Sequence, residues 1–197
     1  SQGSDASYIS VVDYIDRAIE WAAKYDIRVL LDLATVPGGQ GDSNDSPTTP
    51  EAVAEWHSST NGRHVALDVL ERLADPRTAA LGEVGLDYHY DLSPRDVQQN
   101  VFRRQVQLAH VTGLPLVLHV RDAHEDAFRI LEEEGWPEAG TLLHCCSVGP
   151  DELARWVERG AHVAFGGAVT FQRSDDLRAS SAMLPAERLL TETDAPY

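Results

Sequence analysis

The segment TLLHCCSVGPDELARWVERGAHVAFGG, residues 141–167, predicts a strand, a helix and a second strand in succession. TLLHC and AHVAFGG are short apolar runs of strand length, and PDELARWVERG between them is typical of a helix. A strand–helix–strand unit joins neighbouring parallel strands through a right-handed crossover. This segment therefore predicts a parallel α/β sheet.

The same alternation extends along most of the chain. A predicted helix (8–25) precedes six predicted strands, at 27–36, 78–86, 114–120, 141–145, 161–167 and 188–196. Such repetition fits a TIM-barrel-like (β/α) parallel sheet, with six recognisable strands of a (β/α)8 barrel that is incomplete at the N-terminus. An open doubly wound sheet is the alternative. No glycine-rich phosphate loop follows a predicted strand, so the nucleotide-binding versions of that sheet lose support.

Composition narrows the class of protein. The 197 residues predict a single domain, and no apolar run is long enough to span a membrane. The only cysteines, Cys145 and Cys146, are adjacent and poorly placed for a disulfide, which favours a reducing, cytoplasmic setting. A net charge of -16 argues against a simple nucleic-acid binder. It does not exclude an enzyme that meets phosphates through metal ions, because bound cations reverse the local charge.

Four predicted strands finish with an imidazole or a carboxylate. These residues are Glu83, His119, His144 and Asp194. The carboxyl ends of parallel strands converge on one face of a sheet or barrel, where active sites are built. Histidine, aspartate and glutamate together suit zinc, manganese or magnesium. The pattern predicts a divalent metal site, although any single one of these residues would more often be structural.

The same strands carry a family resemblance. GEVGLDYHYDLSPRDVQQNVFRRQVQLA, LPLVLHVRDAHEDAFRIL, LLHCCSVGP and LLTETDAPY resemble motifs of the TatD family of metal-dependent deoxyribonucleases. The resemblance covers about residues 75–197 and implies a barrel enzyme that cleaves phosphodiester bonds of DNA.

The resemblance also implies roles for individual residues. It makes Glu83, His119, His144 and Asp194 the ligands of a two-metal site, with Glu83 as the bridge. Glu83 and Asp194 would be catalytic, since Asp194 would orient or deprotonate the attacking water. Arg121 and His89 would bind substrate, although a surface salt bridge for Arg121 and an exposed loop position for His89 are open alternatives.

Two departures from the family pattern affect the expected activity. The family's first strand ends in His-x-His, which supplies two ligands to one metal, and the 197 residues contain no such pair. We therefore expect about one divalent ion per chain and weak cleavage. Cys146 stands where the family usually has phenylalanine, and we expect it to be a small buried side chain rather than a ligand.

The first part of the chain resembles a different family. Residues 8–74 are similar to the second helix, third strand and following loop of cellulase-like glycoside hydrolases, but carry neither catalytic glutamate of that family. One interpretation is a chimeric barrel in a single domain (1–197), with a glycoside-hydrolase-like segment (8–74) joined near Asp75 to a TatD-like segment (75–197). Natural divergence is the alternative.

Other functions stay open at this point. A glycoside hydrolase would need two carboxylates across a sugar cleft, and Glu83 and Glu192 are the strand-end candidates. A folded but inactive chimeric scaffold is a third hypothesis. Six strands would leave two open sheet edges, which predicts either association into a homodimer or an unusual closure of the barrel.

Overall fold

The computed structural model of the protein describes Glu20, Lys24, Val29–Leu31 and residues 73–194. Glu20 and Lys24 are helical, in agreement with the predicted first helix. The remainder of that helix and residues 32–72 lie outside the described residues.

Six parallel strands form one sheet in the order in which they occur along the chain. The strands are β1 (Val29–Leu31), β2 (Thr78–Asp87), β3 (Leu116–Arg121), β4 (Thr141–Leu143), β5 (His162–Phe165) and β6 (Leu189–Thr191). The helices are α1 (Arg95–Thr112), α2 (His124–Glu134), α3 (Pro150–Glu158) and α4 (Asp175–Met183), with short 3-10 turns at Gly167–Thr170 and Ala186–Arg188. The predicted parallel α/β architecture is confirmed.

β1 brings the N-terminal segment into the same sheet as the rest of the chain. Val29 pairs with Thr78 and Leu31 with Leu81, both in parallel register. The predicted junction near Asp75 lies in a turn just before β2, which is closed by a hydrogen bond from the Thr78 N–H to the Asp75 carbonyl. Among the described residues β1 and β6 are the two edges of the sheet.

The core lies between the sheet and its helices. Strand residues such as Leu81, Leu118 and Leu143 are fully buried, as are Phe102 of α1 and Trp156 of α3. Complete burial of side chains of this size stabilises the fold by about 1.5–3 kcal/mol each. No helix in the described part of the chain is long and apolar enough to cross a membrane.

β2 is longer than the sequence predicts. The predicted strand covers 78–86, and the observed strand ends one residue later, at Asp87, after a register irregularity between Leu81 and Val84. Gly85 permits this extension, because a Cβ at that position would lie 2.0 Å from the carbonyl oxygen of His119 on β3. The close approach of β2 to β3 places Glu83 and Asp87 beside His119.

The buried imidazole of His124 makes folding sensitive to acid. Burial lowers the pKa of His124 to about 4, although the nearby Asp122 carboxylate acts in the opposite direction. The His124 ring packs edge-on against Trp156. The unfolded chain therefore binds a proton that the folded chain rejects between about pH 6.5 and pH 4. The contribution of His124 to the free energy of unfolding is fully present above pH 6.5. It falls by up to about 3 kcal/mol as the pH drops through that window.

We expect His124→Leu to flatten this dependence, and urea denaturation at several pH values between 4 and 7 measures it. His110→Leu, at an exposed position of α1, is the matched control. An equal pH dependence in wild-type and His124→Leu proteins would contradict the prediction.

Candidate metal centre

The four strand-end residues predicted from the sequence come together on one face of the sheet. Glu83 lies in β2 and His119 in β3, His144 directly follows β4, and Asp194 lies three residues beyond β6. His144 is anchored through its backbone, since its N–H donates to the Leu118 carbonyl and so continues the ladder between β3 and β4. The sheet therefore gathers side chains that are far apart in sequence at its carboxyl-terminal end.

The polar atoms of these residues face one another at short range. Glu83 Oε2 lies 3.3 Å from His144 Nε2 and 3.6 Å from His119 Nδ1. Asp194 Oδ1 lies 3.6 Å from the same His144 Nε2. His144 is buried, Glu83 and His119 are half-buried, and the Asp194 side chain is 41% exposed. One carboxylate oxygen is thus shared by two imidazoles.

These separations fit a bound metal ion better than direct hydrogen bonds. Two ligand atoms that bind one zinc ion at about 2.0–2.2 Å in tetrahedral geometry lie about 3.3–3.6 Å apart. The three measured separations fall in this range, whereas an N–H···O hydrogen bond is usually about 2.9–3.0 Å. Glu83, His119 and His144 form a group that could hold an ion. The residues present therefore fit a divalent metal cofactor.

Charge in the centre follows from these contacts. The polar contact with His119 lowers the pKa of Glu83, although burial acts in the opposite direction. Burial also disfavours protonation of His119, but the carboxylates of Glu83 and Asp87 outweigh it and raise the pKa of the imidazole. The acidic groups of the centre thus attract positive charge, which a bound cation would supply.

Glu192 is a residue of the centre that the sequence suggested only for a glycosidase. Its Oε2 lies 2.7 Å from His144 Nδ1, and its Oε1 accepts a hydrogen bond of 2.5 Å from the Cys145 N–H. The 2.7 Å contact is a hydrogen-bond length and is too short for two ligands of one ion. Glu192 therefore holds the proton on Nδ1 and turns the free Nε2 of His144 toward Glu83 and Asp194.

Asp87 is a second residue that sequence reasoning left without a role. Its Oδ2 lies 3.3 Å from His119 Nε2, on the side of the ring opposite Glu83. Its side chain is 9% exposed, and its backbone N–H donates to Gln98 on α1. Both histidines of the centre thus have one nitrogen toward Glu83 and the other toward a further carboxylate. The position of Asp87 in the motif GLDYH, which follows Glu83 in sequence, could have indicated that it lies near the centre.

The two cysteines have different surroundings. Cys145 belongs to a second group that could hold an ion, together with His144 and Glu192. Burial raises the pKa of its thiol to about 11, and the nearby Asp194 and Glu192 carboxylates act in the same direction. Cys146 is buried in the hydrophobic core, and this burial also raises the pKa of its thiol to about 11. The expectation that Cys146 is a small buried side chain agrees with this position.

The predicted substrate-binding residues lie beside the centre but do not join its donor group. Arg121 ends β3, with its guanidinium carbon 4.9 Å from the centre of the Tyr90 ring. His89 is exposed in the loop after β2, with its Nδ1 3.3 Å from Asp122 Oδ2. No salt bridge joins Arg121 to a carboxylate in the part of the chain that the structure describes, so the surface ion pair considered for Arg121 is not found there.

A comparison with protein-family models identifies the family. The model named TatD related DNase matches residues 10–197. The chain belongs to the TatD family. The match begins within residues 8–74, so it includes most of the segment that resembles glycoside hydrolases. The comparisons therefore do not show a chimera, and the division of the chain into two segments stays a prediction.

Relatives in two bacteria agree with membership of the TatD family. The metal-dependent hydrolase YcfH of Escherichia coli K12 is 31% identical over 194 residues, which are 96% of this chain and 73% of that protein. The metal-dependent hydrolase YabD of Bacillus subtilis strain 168 is 42% identical over 130 residues, 66% of this chain and 51% of YabD. The 3'-5' ssDNA/RNA exonuclease TatD of E. coli K12 is 33% identical over 149 residues, 75% of this chain and 55% of that enzyme.

Solved structures show the same fold. The TatD homologue YJJV of E. coli K12 has a TM-score of 0.66 and 26% identity, over 94% of this chain and 64% of YJJV. A TatD family hydrolase of Entamoeba histolytica has a TM-score of 0.69 and 23% identity, over 92% of this chain and 57% of that protein. The chain thus spans about half to two thirds of several TatD proteins that it matches. The TIM-barrel-like class predicted from the sequence is confirmed, and a metal ion is the cofactor of the relatives named as metal-dependent.

Proposed function

We propose that the chain is a metal-dependent hydrolase that cleaves phosphodiester bonds of DNA, as a TatD-type deoxyribonuclease. The observation that carries the proposal is the donor group of Glu83, His119 and His144, with Asp194 beside it, at 3.3–3.6 Å spacing. The name of the matching family model and that of the E. coli exonuclease TatD support a nucleic-acid substrate.

Each residue of the centre has a proposed role. Glu83, His119 and His144 hold the ion through one oxygen and two nitrogens, and Asp194 is a further ligand. A bound divalent ion activates water and polarises a phosphoryl oxygen. Asp194 is the most exposed of the four acidic groups around the two histidines, so it can reach the attacking water and orient or deprotonate it. Arg121 and His89 contact the substrate.

The glycoside hydrolase alternative loses support from the geometry. Its two candidate acids, Glu83 and Glu192, face opposite nitrogens of the single His144 ring. A glycosidase needs two carboxylates that face a sugar between them, one of them as a proton donor. Here an imidazole occupies the intervening space, and the hydrogen bonds of Glu192 commit both of its oxygens to residues 144 and 145.

The donor group of Glu83, His119 and His144 sets the metal content and rate expected of these 197 residues. Phosphodiester cleavage gains from two ions that bind the attacking and leaving oxygens. With the ligands of one ion present, we expect about one divalent ion per chain. Each 1.36 kcal/mol added to the activation free energy slows the reaction about tenfold, so cleavage should be slow.

Metal content and nuclease rate test the proposed function together. Emission spectroscopy gives the number of bound ions, and a single-stranded oligonucleotide assay with manganese, magnesium or zinc gives the rate. Metal-dependent release of nucleotides supports the proposal. A chain that binds an ion but cleaves no phosphodiester, even at high enzyme concentration, would favour the inactive scaffold.

Removing the charge of Glu192 should weaken metal binding. Glu192→Gln keeps the shape of the side chain, but an NH2 group replaces one of the two oxygens that accept from the imidazole and from the Cys145 N–H, so one of these contacts is lost. The orientation of His144 then loosens, and loss of such an orienting group usually costs 10–100-fold in metal affinity. We expect a decrease of that size in zinc affinity, measured by competition with a chelator.

Glu187→Gln is the matched control, because Glu187 is exposed and precedes β6 by two residues. It should leave zinc affinity unchanged. Equal affinities for the wild-type and Glu192→Gln proteins would show that Glu192 does not orient His144.

We also propose that the chain associates as a homodimer through an open edge of the sheet. Leu189 and Leu190 of the edge strand β6 are 38% and 43% exposed. Exposed apolar edge strands favour pairing with another chain. Light scattering should give a dimer mass for the wild-type protein and a monomer mass for Leu190→Lys, and a wild-type monomer would refute this proposal.

A further inference from the structure

An exposed aromatic ring lies in the loop that follows β2, the strand that carries Glu83. Tyr90 is 63% exposed in the loop that follows β2. Among the described phenylalanine, tryptophan and tyrosine residues, only Phe171 is comparably exposed, at 64%, and it lies in the loop after β5. Both rings therefore follow strands at the carboxyl-terminal end of the sheet, where the metal-binding donors lie.

Tyr90 is paired with a cation that has no carboxylate partner among the described residues. The guanidinium carbon of Arg121 is 4.9 Å from the Tyr90 ring centre, and the His89 ring meets the same ring edge-on at 5.0 Å. Other arginines of the described chain, such as Arg103 and Arg155, are bound to glutamates. An arginine without a carboxylate partner in the described part of a chain of net charge -16 is suited to an anionic ligand.

Asp87 fixes this loop relative to the metal centre. Its Oδ1 accepts hydrogen bonds from the backbone N–H groups of His89, at 2.8 Å, and Tyr90, at 2.9 Å. Its Oδ2 faces His119 Nε2 at 3.3 Å. One buried carboxylate thus contacts both the backbone of Tyr90 and a candidate metal ligand. It anchors the backbone of the loop next to the centre.

We propose that Tyr90 and Arg121 form a nucleotide subsite, in which an unpaired base stacks on Tyr90 and a backbone phosphate binds Arg121. The inference rests on the proposed function and adds to it a base-binding residue, Tyr90, beside the proposed substrate contact of Arg121. Aromatic side chains stack on the faces of unpaired bases, whereas the bases of a duplex are already stacked on each other. Asp87 anchors the backbone of the Tyr90 loop next to the metal centre.

Equilibrium binding tests the subsite without relying on cleavage. The probes are fluorescein-labelled octathymidylate and an octamer of the same length with abasic sugars, and anisotropy is measured at low salt in EDTA. We expect the wild-type protein to bind octathymidylate about tenfold more tightly, which corresponds to one stacked base. Tyr90→Ala should remove this preference, and Tyr90→Phe and Tyr90→Trp should keep it. Arg121→Gln should weaken the binding of both probes.

Leu92→Ala is the matched control, because Leu92 is an exposed apolar residue of the same loop. It should keep the preference for bases. Equal binding of the two probes by the wild-type protein, no measurable binding, or a preference that survives Tyr90→Ala would each overturn the proposal. Hydrolysis of bis(4-nitrophenyl) phosphate with added metal tests the chemistry separately. No hydrolysis with an intact base preference would refute the proposed function and leave the subsite standing.

Discussion

Replacement of both His119 and His144 by alanine should abolish high-affinity binding of divalent ions. The two imidazoles supply both nitrogen donors of the candidate site, and Glu83 would be left as the nearest carboxylate. A half-buried carboxylate alone holds zinc or manganese weakly compared with a site of three protein ligands. We expect the ion content to fall from about one per chain to near zero after dialysis, and metal-dependent hydrolysis to disappear with it.

His110 and His162 provide the matched control for the double variant. His110 is exposed on α1, where its ring lies 3.1 Å from the Gly135 carbonyl, and His162 begins β5 at the opposite end of that strand from the metal centre. Their double replacement by alanine should leave the ion content unchanged. Retention of a tightly bound ion after loss of His119 and His144 would refute the assignment of the metal centre.

Gly85→Ala should be the most destabilising single substitution in β2. A Cβ at this position would lie 2.0 Å from the carbonyl oxygen and 2.9 Å from the carbonyl carbon of His119. Backbone atoms cannot rotate away as a flexible side chain can, and the φ of 147° at Gly85 disfavours any residue with a Cβ. We expect the free energy of unfolding to fall by about 3 kcal/mol or more, measured by urea denaturation.

Gly167→Ala is the corresponding control. No atom lies within 4 Å of a Cβ placed at Gly167, so this variant should unfold within about 0.5 kcal/mol of the wild-type protein. If Gly85→Ala folds, its metal affinity should also fall, because β3 must move and His119 moves with it. A Gly85→Ala protein with wild-type stability would show that β2 and β3 do not approach as closely as described.

The sequence alone determined the parallel α/β class of the fold and most of the candidate centre. Short apolar runs that alternate with helices predict a parallel sheet, because such strands are buried on both faces and need crossover connections. In that sheet the last residues of the strands lie at the same end. The sequence therefore predicts that four residues lie close together: Glu83, His119, His144 and Asp194.

Only the tertiary structure decided how these side chains are oriented. Glu192 is two residues from Asp194 in sequence, yet it faces Nδ1 of His144 while Asp194 approaches Nε2. Asp87 extends β2 beyond its predicted end and reaches both His119 and the loop of Tyr90. Strand periodicity predicts which end of the sheet a residue occupies, but not side-chain direction after a register irregularity or beyond the last strand residue. Those directions depend on the approach of β2 to β3 at Gly85 and on hydrogen bonds between residues far apart in sequence.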